Sequence, residues 1–306
     1  MVRQLSEPSK IKKNIAFSCF VDAKPKFEAE VVRWLWSLTE NLGVRPCDIF
    51  ITCDPKVSSS LVSFFEAYDR LNVSFEPCFT ESSKPANKWL QLKKLCERTE
   101  DYTHFVITDC DKVFVEFSSE WCDDSIRACK FIPRPTFAIF EDLFARHFDT
   151  IPRFFIGQPD PEDPNRDGRN YVNNHNGGLI ILPSSKLTPV TDQWKNWIDR
   201  LLLEPEVLRS NVRNLDQVAF ALAMQDMGSD INFLPGTFDL GPKISWVSPH
   251  VLKPGSGQIV LHIHGNEDDD GRILLADTVP DHYRDFIQQV NNSYISWKES
   301  TGLLAA

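Results

Sequence analysis

The chain has 306 residues, enough for one large domain or two small ones. Hydrophobic residues make up 42% of it, which allows a sizeable core and excludes wholesale disorder. A formal net charge of -10 argues against a nucleic-acid backbone as the main partner, but leaves room for a phosphorylated ligand whose charge a metal ion balances.

Residues 1–13 are polar and contain no apolar stretch of the kind a signal peptide needs. No apolar run is long enough to span a bilayer. The eight cysteines are scattered, without a Cys-x-x-Cys pair, and several lie in apolar runs such as Phe17-Ser18-Cys19-Phe20. They read as buried free thiols in a reducing compartment. The expectation is a cytoplasmic protein, compatible with peripheral association at the inner face of a membrane or with a partner domain.

Residues 15–21 read as a first strand, followed by the loop Asp22-Ala23-Lys24-Pro25-Lys26. Residues 28–42 carry an apolar stripe of Val31, Val32, Leu35, Leu38 and Leu42, which predicts a helix. A strand over 48–53, a helix over 58–71, a strand over 73–79 and a helix over 87–98 follow. This repeated strand-helix alternation predicts a parallel α/β sheet with a crevice at the carboxyl ends of its strands. Asp22, Asp54, Thr80, Asp109 and Asp111 are then expected near one edge.

The run 105–107 predicts a buried strand, and it ends in Asp109-Cys110-Asp111 with apolar residues directly after. Strand alternation would send both carboxylates to the same side. Carboxylates gathered at the end of a buried strand are costly unless a positive charge sits between them. A hard divalent cation is the natural candidate, and an Asp-rich turn is the plain alternative.

Residues 116–156 show no clean period. Residues 157–175 form a long polar loop, expected to act as an acceptor lid. Asn176-Gly177-Gly178 then precedes a buried strand over 179–183, and the two glycines suggest close approach of a ligand or another backbone. Helices are predicted over 192–203 and from Leu215-Asp216-Gln217 through 227. The last strand, 258–263, runs into His262-Ile263-His264-Gly265, with both histidines on one face as ligand candidates. The acidic run 267–270 reads as a solvated turn.

Taken together these pieces resemble a GT-A glycosyltransferase, most closely glycosyltransferase family 8 and its relatives. The matching residues, in order over 14–272, are Asp109-Cys110-Asp111, Asn176-Gly177-Gly178-Leu179, Asp216-Gln217 and His262-Ile263-His264-Gly265. The resemblance implies an α/β fold of GT-A type. It has a Rossmann-like, mostly parallel central sheet flanked by helices, and a smaller mixed sheet on the acceptor side. It implies one domain over 14–290, divided into a nucleotide-binding half (14–115) and an acceptor-side half (116–290), between an N-terminal tail (1–13) and a C-terminal tail (291–306). Asp109 and Asp111 would hold Mn²⁺ or Mg²⁺ against the diphosphate of a nucleotide-sugar, a UDP-sugar being favoured. His262 would complete the metal shell, with His264 an alternative on the same face. Asp22 would sit near the base, and Lys88, Asn176, Gly177 and Gly178 would border the donor. Asp216 and Gln217 would face the reacting sugar or the acceptor, a carbohydrate or lipid-linked glycan of polysaccharide biosynthesis.

Two positions depart from the family pattern. The lysine that follows His-x-x-Gly and touches the diphosphate is replaced by Asn266-Glu267-Asp268, which leaves Lys253 and Arg272 as stand-ins. The arginine on the helix before Asp-x-Asp is replaced by Gln91, with Lys88 one turn earlier. Retention of anomeric configuration is slightly favoured, while Asp216 could act as the base of an inverting enzyme. Two rival expectations stand beside this one. The first is a haloacid-dehalogenase-like phosphatase with Asp109 as nucleophile, Asp111 as acid/base and Mg²⁺ alongside. The second is an inactive glycan-binding or scaffold domain. A sugar nucleotidyltransferase would need a glycine-rich loop on the first strand, and Ser18-Cys19-Phe20-Val21-Asp22 has no glycine.

Overall fold

The computed structural model describes residues 14–81, 84–130, 148, 154–156, 169–204, 214–243, 247–250, 252, 255 and 258–302. The strands are β1 (Ile15–Val21), β2 (Ile49–Cys53), β3 (Asn72–Phe75), β4 (His104–Asp109), β5 (Lys112–Phe117), β6 (Arg127–Lys130), β7 (Phe154–Ile156), β8 (Arg169–Tyr171), β9 (His175–Pro183), β10 (Asn232–Leu234) and β11 (Gln258–His262). The helices are α1 (Pro25–Trp36), α2 (Ser59–Glu66), α3 (Trp89–Leu95), α4 (Ser184–Leu203), α5 (Leu215–Asp226) and α6 (Asp281–Thr301).

A seven-stranded sheet runs in the order β10-β6-β9-β4-β1-β2-β3. Strands β4, β1, β2 and β3 are mutually parallel, as the strand-helix alternation predicts. Strand β9 is antiparallel to both β4 and β6, and β6 is parallel to β10. Strand β11 pairs antiparallel with β5 in a small separate sheet, and β7 pairs with β8. The fold is thus α/β with a mostly parallel central sheet, and the central sheet draws strands from both 14–115 and 116–290.

Alternation along the central strands sorts side chains into two cores. Ala16, Phe105, Ile107, Ile180 and Leu182 face Leu92 and Leu95 of α3, Trp194 of α4 and Phe220 of α5. Phe17, Cys19, Val106, Leu179 and Ile181 face Trp34 and Leu35 of α1 and Leu61 and Phe65 of α2. Burial on both faces is why these strands read as continuous apolar runs. A third core joins Val113, Ile259 and Leu261 of the small sheet to Trp36 and to Tyr283, Ile287 and Tyr294 of α6.

Local chemistry fixes the helix starts. Pro25 occupies the first turn of α1, where its missing N–H costs nothing. The Ser58 hydroxyl caps α2 by accepting the Leu61 N–H at 3.2 Å. Three helical expectations need correction. Helix α2 stops at Glu66, because the chain turns through Arg70 at φ 66° before β3. Helix α4 begins at Ser184 and passes through Pro189, a residue that reads as a boundary because it removes one bond from the ladder. The expected tail over 291–306 is helical as far as Thr301, with Asn291 and Tyr294 buried and Gly302 closing the helix at φ 73°.

All eight cysteines are free thiols, and Cys19, Cys53, Cys110, Cys122 and Cys129 are buried. Among the described residues, no helix is long and apolar enough to cross a membrane.

Candidate metal and anion site

The antiparallel entry of β9 builds the site. Thr108 pairs with Leu179, so the amino end of β9 lies beside the carboxyl end of β4 and Gly178 stands next to Asp109. Lys112 pairs with His262, which brings the end of β11 against the turn after β4. The Ile263 N–H donates to the Asp111 carbonyl at 3.0 Å and locks that approach.

Asp109 and Asp111 do not act as one strand-borne pair. Strand β4 ends at Asp109, and Cys110 and Asp111 form the turn into β5, so strand alternation does not carry to Asp111. Asp109 is held by Lys88, whose Nζ lies 2.7 Å from Oδ1. Asp111 instead faces His262, with Nε2 3.3 Å from Oδ2. The histidines do come together, though not by alternation. The strand ends at His262, and His264 turns back in a left-handed backbone (φ 52°) that sets the two rings 3.4 Å apart between centroids. Such a backbone costs energy for a side-chain-bearing residue and recurs at functional sites. Ligand atoms of Asp111, His262 and His264 all lie within 4.8 Å of one another.

This donor set suits a divalent cation. One carboxylate and two imidazoles form a mixed oxygen and nitrogen set of the kind first-row divalent ions accept. Asp111 Oδ1 is buried and has no hydrogen-bond partner, so the carboxylate has unused capacity. His262 Nδ1 lies 2.7 Å from Asp239 Oδ1, the carboxylate-histidine arrangement that orients a ring toward a metal. His262 and Asp111 shift in opposite directions. Burial and Lys112 lower the His262 pKa, but Asp111 and Asp239 outweigh them and raise it. Burial raises Asp111, but His262 outweighs it and holds the carboxyl well below the carboxylate range. A proton and a metal ion therefore compete for the same place. His264 is lowered, by burial first and then by His262.

Lys88 organises the second half of the site. It is buried in the turn before α3, and Nζ also lies 2.9 Å from the Gly177 carbonyl and 3.3 Å from Asp216 Oδ2. Burial alone would lower its pKa, but Asp109 and Asp216 more than offset this. Asp216, in the first turn of α5, is raised by burial and by Asp109 against the pull of Lys88. Its Oδ1 is buried without a partner. A Cβ on Gly177 would stand 3.1 Å from Asp216 Oδ2 and 3.3 Å from Gln217 Cγ. On Gly178 it would stand 2.7 Å from Lys112 Cε and 2.9 Å from Asn176 Oδ1. The close approach expected at these glycines is thus to the chain's own side chains.

Two residues escape the sequence analysis. Asp239 sits in a short 3-10 turn (Gly236–Asp239) and accepts from Lys112 Nζ at 2.6 Å and from Asn176 Nδ2 at 2.9 Å, besides His262. No motif surrounds it. Lys112 did carry a signal, as a lone cation opening the apolar run 113–115, and it is fully buried.

Asp22 follows β1, paired with Lys84 at 3.2 Å, and groups with Asp54 and Cys78. Lys253 lies outside the described residues. Arg272 is engaged by Asp268 and Asp270. The side chain packed against Gly265 is that of Lys26. Gln91 is fully buried, and its amide atoms have no hydrogen-bond partner. Of the expected lid, 157–168 lie outside the described residues, while Asn173, Asn174 and His175 are buried and packed. Glu267 also departs from expectation, because it is largely buried against Arg33, whose Nη1 reaches the Gly271 carbonyl at 2.6 Å.

Glu30 lies beneath this cluster, fully buried, and its pKa is pushed up from 4.5 to about 8 by burial first and then by Asp111. Lys26, 3.6 Å away, and Arg33 oppose the shift, while Glu267 adds to it. Between these two values the folded chain keeps a proton that the unfolded chain has released. Stability therefore falls as pH rises through the window, by up to about 1.4 kcal/mol per pH unit. Glu30→Gln should remove this slope, so that in chelator the variant matches the wild type near pH 5 and melts higher at pH 8. Parallel melting curves across that range would refute it.

The sequence matches no protein-family profile, and comparison with curated proteins returns no match.

Proposed function

We propose that this chain is a metal-dependent glycosyltransferase of GT-A type that moves a sugar from a nucleoside-diphosphate donor to a carbohydrate-type acceptor. The observation that carries this reading is the gathering of Asp111, His262 and His264 at the carboxyl edge of a parallel sheet, directly after the strand that bears Asp109. That edge is where α/β proteins bind nucleotides. Asp111, His262 and His264 would hold the cation, whose chemistry is to stabilise charge on a departing diphosphate. Asp109, fixed by Lys88, closes the floor of the donor site beside Gly178. Asp216 Oδ1, buried and without a partner, is the atom a sugar or acceptor hydroxyl would engage, and Lys88 holds the other carboxylate oxygen. In the phosphatase alternative Asp109 and Asp111 would act on one phosphorus, whereas here they engage separate partners.

The test is calorimetry of UDP and GDP, each with Mn²⁺ and with chelator. Metal-dependent binding of one nucleotide supports the reading and names the base. Binding of neither sinks it, and phosphate release from a generic phosphomonoester with Mg²⁺ then becomes the question.

On this reading the diphosphate-facing cation comes from the start of α1. Lys26 is half-exposed and rests on Gly265, whose left-handed backbone (φ 69°) carries no side chain to exclude it. Lys26→Met should weaken nucleoside-diphosphate binding about tenfold or more, a cost of about 1.4 kcal/mol, and leave Mn²⁺ binding unchanged. Arg272→Met, made in parallel, should change neither. An unaltered diphosphate affinity in Lys26→Met would remove Lys26 from the site.

A further inference from the structure

A fully buried ammonium beside a cluster that gathers a divalent cation is an electrostatic contradiction. Lys112 has no exposed surface, and its stem runs so close to Gly178 that a Cβ there would stand 2.7 Å from Cε. It cannot swing to solvent. Its charge acts on both Asp111 and His262, and a cation bound between them would be repelled by it. One carboxylate resolves the conflict. Asp239 Oδ1 lies 2.6 Å from Lys112 Nζ and 2.7 Å from His262 Nδ1, and Oδ2 accepts from Asn176 Nδ2 at 2.9 Å. An ionised carboxylate can only accept, so Nδ1 of His262 must carry the proton. Nε2 is then left as the free ring atom, and it is the one that faces Asp111.

We propose that Asp239 is the positioning residue of the metal cluster: it fixes the His262 ring with Nε2 toward Asp111 and neutralises Lys112, so that the site admits a divalent cation. The inference rests on the metal-site reading above and assigns Asp239 no contact with substrate. A residue that served only to stabilise the fold would leave the Mn²⁺ affinity of the folded protein unchanged, whereas a residue that orients the His262 ring and masks Lys112 sets that affinity.

The experiment is titration with Mn²⁺ alone, followed by the EPR signal of the free ion, on wild type, Asp111→Ala, Asp239→Asn, Lys112→Met and the Lys112→Met/Asp239→Asn double variant. Asp239→Asn is expected to bind Mn²⁺ about 10- to 100-fold more weakly, the range for loss of a group that orients a metal-bound histidine. The double variant should regain at least about tenfold of that loss, since removing both members of a buried ion pair leaves no uncompensated charge. Wild-type affinity in Asp239→Asn, or a double variant no tighter than the single, would overturn the proposal. If Asp239→Asn does not fold, the double variant compared with Lys112→Met isolates the ring-fixing part. A loss of about tenfold supports it and no loss overturns it. If wild type binds no better than Asp111→Ala, the metal-site reading itself falls and the role of Asp239 falls with it, a pattern distinct from the others.

Discussion

Lys88→Met is expected to cost the fold about 3–5 kcal/mol at neutral pH, because removing one partner of a buried ion pair strands the other. Here it strands two, since Lys88 is the cation between Asp109 and Asp216. Asp216 is already raised by burial and by Asp109, and it keeps that shift only partly checked by Lys88. Without the ammonium its pKa rises further. A carboxyl raised in the folded state binds a proton there that the unfolded chain has lost, so stability increases as pH falls toward the unfolded value. The deficit of the variant should therefore shrink markedly between pH 7.5 and pH 5, as read by urea denaturation. A deficit that stays constant over that range would mean that Asp216 is not the group stranded.

Asp111→Ala should abolish stabilisation by Mn²⁺. An ion bound only by the folded chain adds about 2.7 kcal/mol at one hundred times its dissociation constant. Wild type should thus melt several degrees higher with Mn²⁺ than with chelator, and the variant should show no difference. The fold itself should tolerate the change, because His262 keeps its bond to Asp239. Equal Mn²⁺-dependent shifts in the two proteins would place the ion elsewhere.

Much of the fold was legible because the parallel strands are buried on both faces and the helices between them carry one apolar stripe. The antiparallel insertion of β9 was not, since the short apolar run over 179–183 says nothing of its direction. The site was legible in its residues and less so in its geometry. Asp111, His262 and His264 meet as the sequence suggests, yet through a turn and a left-handed residue rather than through strand alternation. Asp109 and Asp111 are one residue apart in the chain and belong to different hydrogen-bonded groups. Asp239 was invisible because its role depends only on where the chain happens to return. The final helical turns of α6 read as a tail because the polar residues among Tyr294, Ser296, Lys298 and Glu299 hide a single buried stripe.

The insertion of β9 between β4 and β6 also governs how the site comes into being. Its polar groups arrive from β4, the turn before α3, β9, α5, the 236–239 turn and the end of β11, and Lys88 and Asp216 alone are separated by 128 residues. None of these pairings is local, so loop-closure entropy must be overcome before any is rewarded. Neither 14–115 nor 116–290 holds a complete edge for the other to dock against, because β4 sits between a strand from each. A cation is therefore expected to recognise only a chain that has finished folding, and metal affinity becomes a reporter of the last stage of assembly.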